Sequence, residues 1–349
     1  MSVDVLISEG ALRHNLETLR SKVAPAELMF VVKSNGYGHD ILAVSRIAEG
    51  AGIKWLGVLE IPAAIELRSV IRSPDVNILV WQFDKFDSLE EVAAKNIQLG
   101  VGDFAQLKQL SSYSNVKVHL KIDTGLNRNG VRENDWKRFV EEALDLERKG
   151  AISVVAVWSH LAETSDEQDD EARSRFEEAL SWAESRFGRK LKAHLSASAA
   201  SFRRSEFRFD MIRNGGHVYG IPSFDGTTPK DMGLIPVMTL VSKVSQVDQV
   251  SNNQFRLTVQ AGYTHGIPGL AAGKTEVAIR GQRFSVTEVL AESMIVIGAT
   301  AADVGEIVHI FGDGSHGEQT VREWGDAIGT LGDEICCRIN PSLKRIVVV

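Results

Sequence analysis

The chain has 349 residues, 44% of them hydrophobic and 24% charged, with a formal net charge of −7; that length suits roughly two domains. An acidic balance with Lys and Arg spread through the chain excludes a nucleic-acid binder, which needs a clustered basic surface. The opening MSVDVLISEG carries no secretory pattern, and no apolar run approaches the ~18 residues of a membrane span.

In chain order, short apolar runs predict strands at 28–34, 55–60, 76–82, 97–102, 116–124, 153–161, 191–198 and 207–215. Several are nearly continuous in apolar residues, as parallel strands buried on both faces are. Helical patterns of suitable length lie between them. The one at 132–150 places Trp136, Phe139, Val140, Ala143 and Leu144 on one stripe and stops at Gly150. Eight strands alternating with helices predict a (β/α)8 TIM-type barrel over residues 1–228, with a doubly wound open sheet as the alternative. From 229 to 349 the pattern changes to alternation at 237–241, 255–259, 276–279 and 293–297, which predicts a mainly antiparallel β domain. The first ten or so residues are candidates to pair with that domain. Pro222, Gly226, Pro229 and Gly233 mark the connection. Cys336 and Cys337, adjacent and without zinc spacing, read as small apolar residues of a C-terminal strand and suit a reducing cytoplasm.

A barrel collects its chemistry at the C-terminal ends of its strands. There the sequence sets Lys33 after the first strand, Asp123 and Arg128 after the fifth, and His160 after the sixth. Ser198 follows the seventh, and Arg213 with Gly215 and Gly216 ends the eighth. Taken singly, each has a bland explanation: a solvated lysine, a core histidine, a turn. Their convergence on one face of one barrel points to a site.

These residues carry a resemblance. Val31-Val32-Lys33-Ser34-Asn35-Gly36-Tyr37-Gly38-His39 resembles the cofactor-lysine motif of the alanine racemases, a fold-type III pyridoxal phosphate family. Similar stretches follow in order: Lys121-Ile122-Asp123-Thr124-Gly125-Leu126-Asn127-Arg128-Asn129-Gly130, Ser159-His160-Leu161-Ala162, His194-Leu195-Ser196-Ala197-Ser198, Asp210-Met211-Ile212-Arg213-Asn214-Gly215, and Ala261-Gly262-Tyr263. The resemblance implies a barrel plus a β domain, a homodimer with shared active sites, and pyridoxal 5'-phosphate held by Lys33 as a Schiff base. It implies phosphate contacts from Tyr37, Ser198 and the amides of Gly215 and Gly216, with Arg213 at the pyridine nitrogen. An arginine keeps its proton there, which weakens the cofactor as an electron sink and favours racemisation. Lys33 and the partner subunit's Tyr263 would serve opposite faces of an amino acid substrate, with alanine favoured. His160 would set the surroundings of the tyrosine and the cofactor, and Arg128 and Met294 would face the substrate. Lys121 corresponds to a lysine that is carbamylated in many members. No metal is implied.

The sequence departs from the family in the β domain. Thr264-His265-Gly266 follows Tyr263 where Ala-Asp-Gly is usual, Met294 is followed by Ile295 instead of Asp, and Asp333 stands where a phosphate-binding tyrosine is expected. These changes predict an altered substrate range or low activity with alanine. They keep open a racemase of another amino acid, a pyridoxal phosphate-dependent lyase or aldolase on the same fold, and a non-catalytic cofactor-binding relative. Gly312-Asp313-Gly314-Ser315-His316-Gly317 fits the G-x-G-x-x-G dinucleotide pattern after a strand, but too little chain follows for the parallel sheet such a site needs, so it reads as a surface loop.

Overall fold

The computed structural model describes residues 3–84, 87 and 89–349. It divides into two compact units that interleave along the chain: Leu19–Lys33 with Ala48–Gly215, and Met1–Thr18 with Ser34–Ile47 and Gly216–Val349.

Strand β1 (Asp4–Ser8) opens the chain and the helix Glu9–Val23 follows. The barrel strands are β2 (Glu27–Val31), β3 (Trp55–Val58), β4 (Asn77–Val80), β5 (Ile97–Val101), β6 (Val116–Lys121), β7 (Ile152–Trp158), β8 (Lys192–His194) and β9 (Met211–Asn214). They pair in parallel in the order β8-β7-β6-β5-β4-β3-β2-β9. Between β8 and β9 the ring is joined by the amides of Asp210 and Arg213, which donate to the carbonyls of Ala193 (3.1 Å) and Ser196 (3.2 Å). All eight predicted strands are present, and the parallel barrel, not an open sheet, is the architecture. Side chains fill its interior: Met29, Trp55, Leu79 and Met211 form a buried cluster with Trp81 against it.

The outer helices follow from their sequences. Glu133–Arg148 buries the predicted stripe of Trp136, Phe139, Val140, Ala143 and Leu144. Asp166–Phe187 starts where the Ser165 side chain accepts from the Gln168 amide, and it stops at Gly188 in the left-handed conformation.

The second unit holds β1 with β10 (Met238–Ser251), β11 (Gln254–Val259), β12 (Glu276–Ile279), β13 (Gln282–Val289), β14 (Met294–Gly298), β15 (Ile307–Phe311) and β16 (Arg345–Val348). Their order is β11-β14-β13-β12-β15-β10-β1-β16, with β10 also paired to β11. Every pair is antiparallel except β1 with β16.

Cys336 and Cys337 lie on the helix Gly332–Arg338, which corrects the strand expected there. Ile335, Cys336 and Ile339 are buried, and their spacing covers one helical face without the alternation of a strand. The G-x-G-x-x-G stretch is a turn whose amides are already used: the Glu318 carboxylate accepts from Gly314 (3.0 Å) and His316 (2.9 Å). No helix among the described residues is long and apolar enough to cross a membrane.

Candidate active site

The segment leaving β2 is conformationally unusual. After Lys33 come Ser34, Asn35, Gly36 and Tyr37 with φ of 53°, 53°, 61° and 51°, one complete left-handed turn. Such a run costs roughly 1–2 kcal/mol per non-glycine residue, so it persists because its surroundings hold it. The Gly38 amide donates to Ser34 O (3.0 Å), and the Asn35 side chain accepts from the Ile41 amide (2.9 Å). The buried His39 donates from Nδ1 to the carbonyls of Gly36 and Tyr37 (3.0 and 2.8 Å) and stacks on Tyr219. Gly38 has φ of 79°, and a Cβ there would lie 2.1 Å from the Cys336 carbonyl oxygen. Strain of this kind concentrates at functional sites. Burial, followed by the charges of Asp333 and Cys337, pushes the Tyr37 hydroxyl far above its ordinary range. Asp333 therefore bears on Tyr37 electrostatically from the Gly332–Arg338 helix.

Within the barrel, Arg213 on β9 is buried and reaches four acceptors. Its Nη2 serves Ser159 O (2.8 Å), Leu195 O (2.8 Å) and His160 Nδ1 (2.9 Å), and its Nη1 serves His194 Nδ1 (3.0 Å). A guanidinium has no acceptor, so both imidazole nitrogens accept and carry no proton. Burial first, then the charges of Arg213, Arg128, Lys121 and Lys33, hold the His160 pKa well below its usual value. Burial, with Arg128 adding to it and Glu163 opposing it, brings Arg213 down to about 9, still a cation at neutral pH.

Lys121, the last residue of β6, is hydrogen-bonded to Asn129 and lies over the Trp158 ring, 4.3 Å from its centroid. Burial, then Arg213 and Arg128, lower its pKa to about 7 despite Asp123. Arg128 is exposed at the head of the same loop. Asp123 shapes that loop, accepting from the amides of Gly125 and Asn127 at 3.1 Å each.

On the other side of Arg213, the Ser198 hydroxyl donates to Asn214 Oδ1 (3.2 Å) and accepts from the Gly215 amide (3.3 Å). Asn214 Nδ2 is buried without a hydrogen-bond partner. Gly216 follows Gly215 directly and receives the Ile221 amide on its carbonyl.

In the second unit, Tyr263 begins a short turn pinned by its amide to Leu290 O (2.9 Å), and it is 59% exposed. Gly266 closes the turn at φ of 99°, where a Cβ would meet Arg338 O at 2.4 Å. His265 uses Nδ1 to accept from the Gly262 amide. Met294 is fully buried in β14, paired with Val259 and Val289, so within one chain its side chain is closed to a ligand.

The structure thus gathers Lys121, His160, Ser198, Arg213 and Gly215 within one unit with Lys33 and Arg128, and sets Tyr37, Gly216, Tyr263 and Met294 in the other. Sequence reasoning did not single out Gln98 and His119, buried inside β5 and β6, or Glu163, whose carboxylate accepts from the Ala200 amide. A polar residue inside a run of apolar strand residues was the available signal for the first two.

Residues 7–223 match the alanine racemase N-terminal domain and residues 237–347 the alanine racemase C-terminal domain. An alanine racemase of Beutenbergia cavernae is 31% identical over 98% of this chain and 97% of its own. The crystal structure of alanine racemase from D-cycloserine-producing Streptomyces lavendulae superposes with a TM-score of 0.95 at 29% identity, covering 100% of this chain and 97% of that one. A Bartonella henselae alanine racemase with covalently bound pyridoxal phosphate shares the fold at 22% identity, with a TM-score of 0.87 over 99% of each chain. With both domains matched and relatives aligned over nearly the whole length, the chain belongs to the alanine racemase family of pyridoxal phosphate-dependent isomerases.

Proposed function

We propose that the protein interconverts L- and D-alanine as a cytoplasmic homodimer, with pyridoxal 5'-phosphate held by the Lys33 amine and with Lys33 and Tyr263 of the partner subunit working opposite faces of the substrate. The observation that carries this reading is Arg213 fixed as a donor by four acceptors at the barrel mouth. The donor set suits the cofactor. The unpartnered, buried Asn214 Nδ2 beside the Ser198 hydroxyl and the Gly215 amide fits a phosphate, which needs donors.

When bound, the cofactor draws electron density from the substrate's α-carbon and makes its proton removable. The rest falls to the protein. Ser198, Gly215, Gly216 and Tyr37 would hold the phosphate. Arg213 would donate a hydrogen bond to the ring nitrogen without surrendering its proton, because its pKa of about 9 keeps it charged at neutral pH. Arg128 would take the substrate carboxylate. His160, held neutral, would accept from Arg213 and leave Nε2 to order the opposite face. Tyr263 is exposed in one chain, which suits a residue completing another subunit's site. The Lys121 amine, neutral in a substantial fraction near pH 7, is suited to add CO2 with release of one proton, and the resulting carbamate would offset the surrounding cations.

Lys33→Ala tests the reading: it should abolish conversion of L-alanine to D-alanine and release the cofactor on gel filtration. Retained conversion would refute it. The departures at Thr264-His265, Ile295 and Asp333 favour an activity on alanine lower than that of family members without them. A panel of L-amino acids measured for kcat/KM would rank the substrates.

A further inference from the structure

The barrel interior carries a polar column that the residues assigned above leave unexplained. Arg213 Nη1 lies 3.0 Å from His194 Nδ1, and His194 Nε2 lies 2.8 Å from His119 Nδ1. His119 Nε2 is 2.9 Å from Gln98 Oε1, and Gln98 Nε2 donates to Asn77 Oδ1 at 2.9 Å. His119 and His194 are completely buried and Gln98 nearly so. Asn77 is the first residue of β4, so the column descends from the strand ends that bear Arg213 to the opposite end of the barrel.

Its direction is imposed at one end. Arginine can only donate, so His194 Nδ1 must accept. A neutral His194 then has its proton on Nε2 and donates to His119 Nδ1. The same reasoning makes His119 Nε2 the donor to Gln98, whose amide nitrogen donates onward. Neither ring can take a second proton without setting two donors against each other. The rings are also clamped: Trp158 stacks on His194 with centroids 5.4 Å apart, donates to the His119 carbonyl at 3.2 Å, and Trp55 meets His119 edge-on. Apolar side chains such as Met29 and Leu79 fill the same barrel elsewhere. A buried column of polar groups, costly unless every member is satisfied, therefore calls for a reason.

We propose that His194, His119 and Gln98 are positioning residues, a one-way hydrogen-bond column that holds Arg213 as an obligate donor toward the cofactor's ring nitrogen. The proposal rests on the reading of Arg213 given under Proposed function. Burial is the main cause that brings the His119 pKa down to about 3, with Lys192 and Arg213 adding to it; burial, then Arg213, His119, Lys192 and Lys121, hold His194 well below its usual value. A carboxylate introduced at position 98 would be the missing anion. It would favour a doubly protonated His119, force His194 to its other tautomer, and turn an N–H toward Arg213.

The test uses full-length protein with 15N-labelled histidine, observed by long-range 1H–15N correlation with and without pyridoxal phosphate, and with His119→Gln and His194→Gln for assignment. In the wild type both rings should show the Nε2–H tautomer, unchanged between about pH 6 and 9. Gln98→Glu should convert His119 to the doubly protonated form, switch His194 to Nδ1–H, shift the bound cofactor's absorption, and lower kcat/KM by roughly tenfold. Gln98→Leu, which removes the acceptor without adding charge, should keep the wild-type tautomer of His194 and lose less activity. A wild-type His194 that is charged or in the Nδ1–H form would overturn the proposal. So would equal activity losses in the two variants with tautomers unmoved, the mark of a purely structural role. If the tautomers respond as stated while the cofactor's absorption does not, the assignment of Arg213 to the ring nitrogen is what fails.

Discussion

Replacing Arg213 with lysine keeps the charge and removes the fork. In the wild type one guanidinium serves the carbonyls of Ser159 and Leu195 and the Nδ1 atoms of His160 and His194, all at 2.8–3.0 Å. An ammonium on a shorter, non-planar head can satisfy one or two of these four. The two or three left over become buried acceptors without donors, each costing about 1–3 kcal/mol, so Arg213→Lys should lose roughly 2–9 kcal/mol of stability. At roughly 2.1 cal/mol/K of unfolding entropy per residue, a chain of 349 residues loses about 1.4 °C per kcal/mol, so Tm should fall by about 3–12 °C. Because the charge stays, the far larger penalty of stripping a buried ion of its partners does not apply. Thermal unfolding of the apoprotein reads the structural term, and turnover of L-alanine by the cofactor-loaded protein reads the functional one. A variant melting within about 1 °C of wild type and turning over undiminished would refute the claim that the fork is satisfied by this geometry.

Other consequences can be measured directly. Ser198→Ala removes the acceptor of the Gly215 amide and one donor beside Asn214, so fluorescence titration should show pyridoxal phosphate bound roughly tenfold more weakly. Gly38→Ala sets a Cβ against the Cys336 carbonyl at positive φ, and urea denaturation should show a loss of more than about 2 kcal/mol or no folded protein at all. Lys121 has its folded pKa lowered from 10.5 to about 7, chiefly by burial. Between these values the unfolded chain binds a proton that the folded chain lacks, so this group's contribution to stability rises with pH by up to about 1.4 kcal/mol per unit. In CO2-free buffer, Lys121→Met should therefore exceed wild type in stability by more at pH 7 than near pH 10, and the reverse trend would contradict the assignment. Supplying 13C-labelled CO2 should give a carbamate resonance that Lys121→Met lacks.

The barrel was legible because parallel strands buried on both faces are written as apolar runs, and each run from 28 to 215 overlaps an observed strand. The strand-end residues were legible for the same reason, since a polar residue closing such a run has a single place to go. The column through Gln98 and His119 was not: both sit within runs where an inward polar group and a tolerated outlier look alike, and the donor logic emerges only when distant strands are side by side. The left-handed turn after Lys33 was hidden too: Asn35 and Gly36 suit that conformation singly, but Ser34 and Tyr37 carry no signal for a continuous run held by His39 and the close approach of Gly38 to Cys336. β13 was missed, although Gln282–Val289 alternates buried Phe284 and Val286 with exposed neighbours. The helix holding Cys336 and Cys337 was misread because two small apolar residues before a β-rich end suit either structure. Met294, placed at the substrate by resemblance, is buried in β14 within the single chain.

The two-sided mechanism is tested most directly by following L-alanine in heavy water with the cofactor-loaded protein, measuring α-deuterium in each enantiomer at low conversion. Two bases on opposite faces predict D-alanine carrying deuterium at the α-carbon while remaining L-alanine keeps protium, with inversion lost in Tyr263→Phe. D-alanine that retains the original proton, or inversion that survives Tyr263→Phe unchanged, would contradict the account.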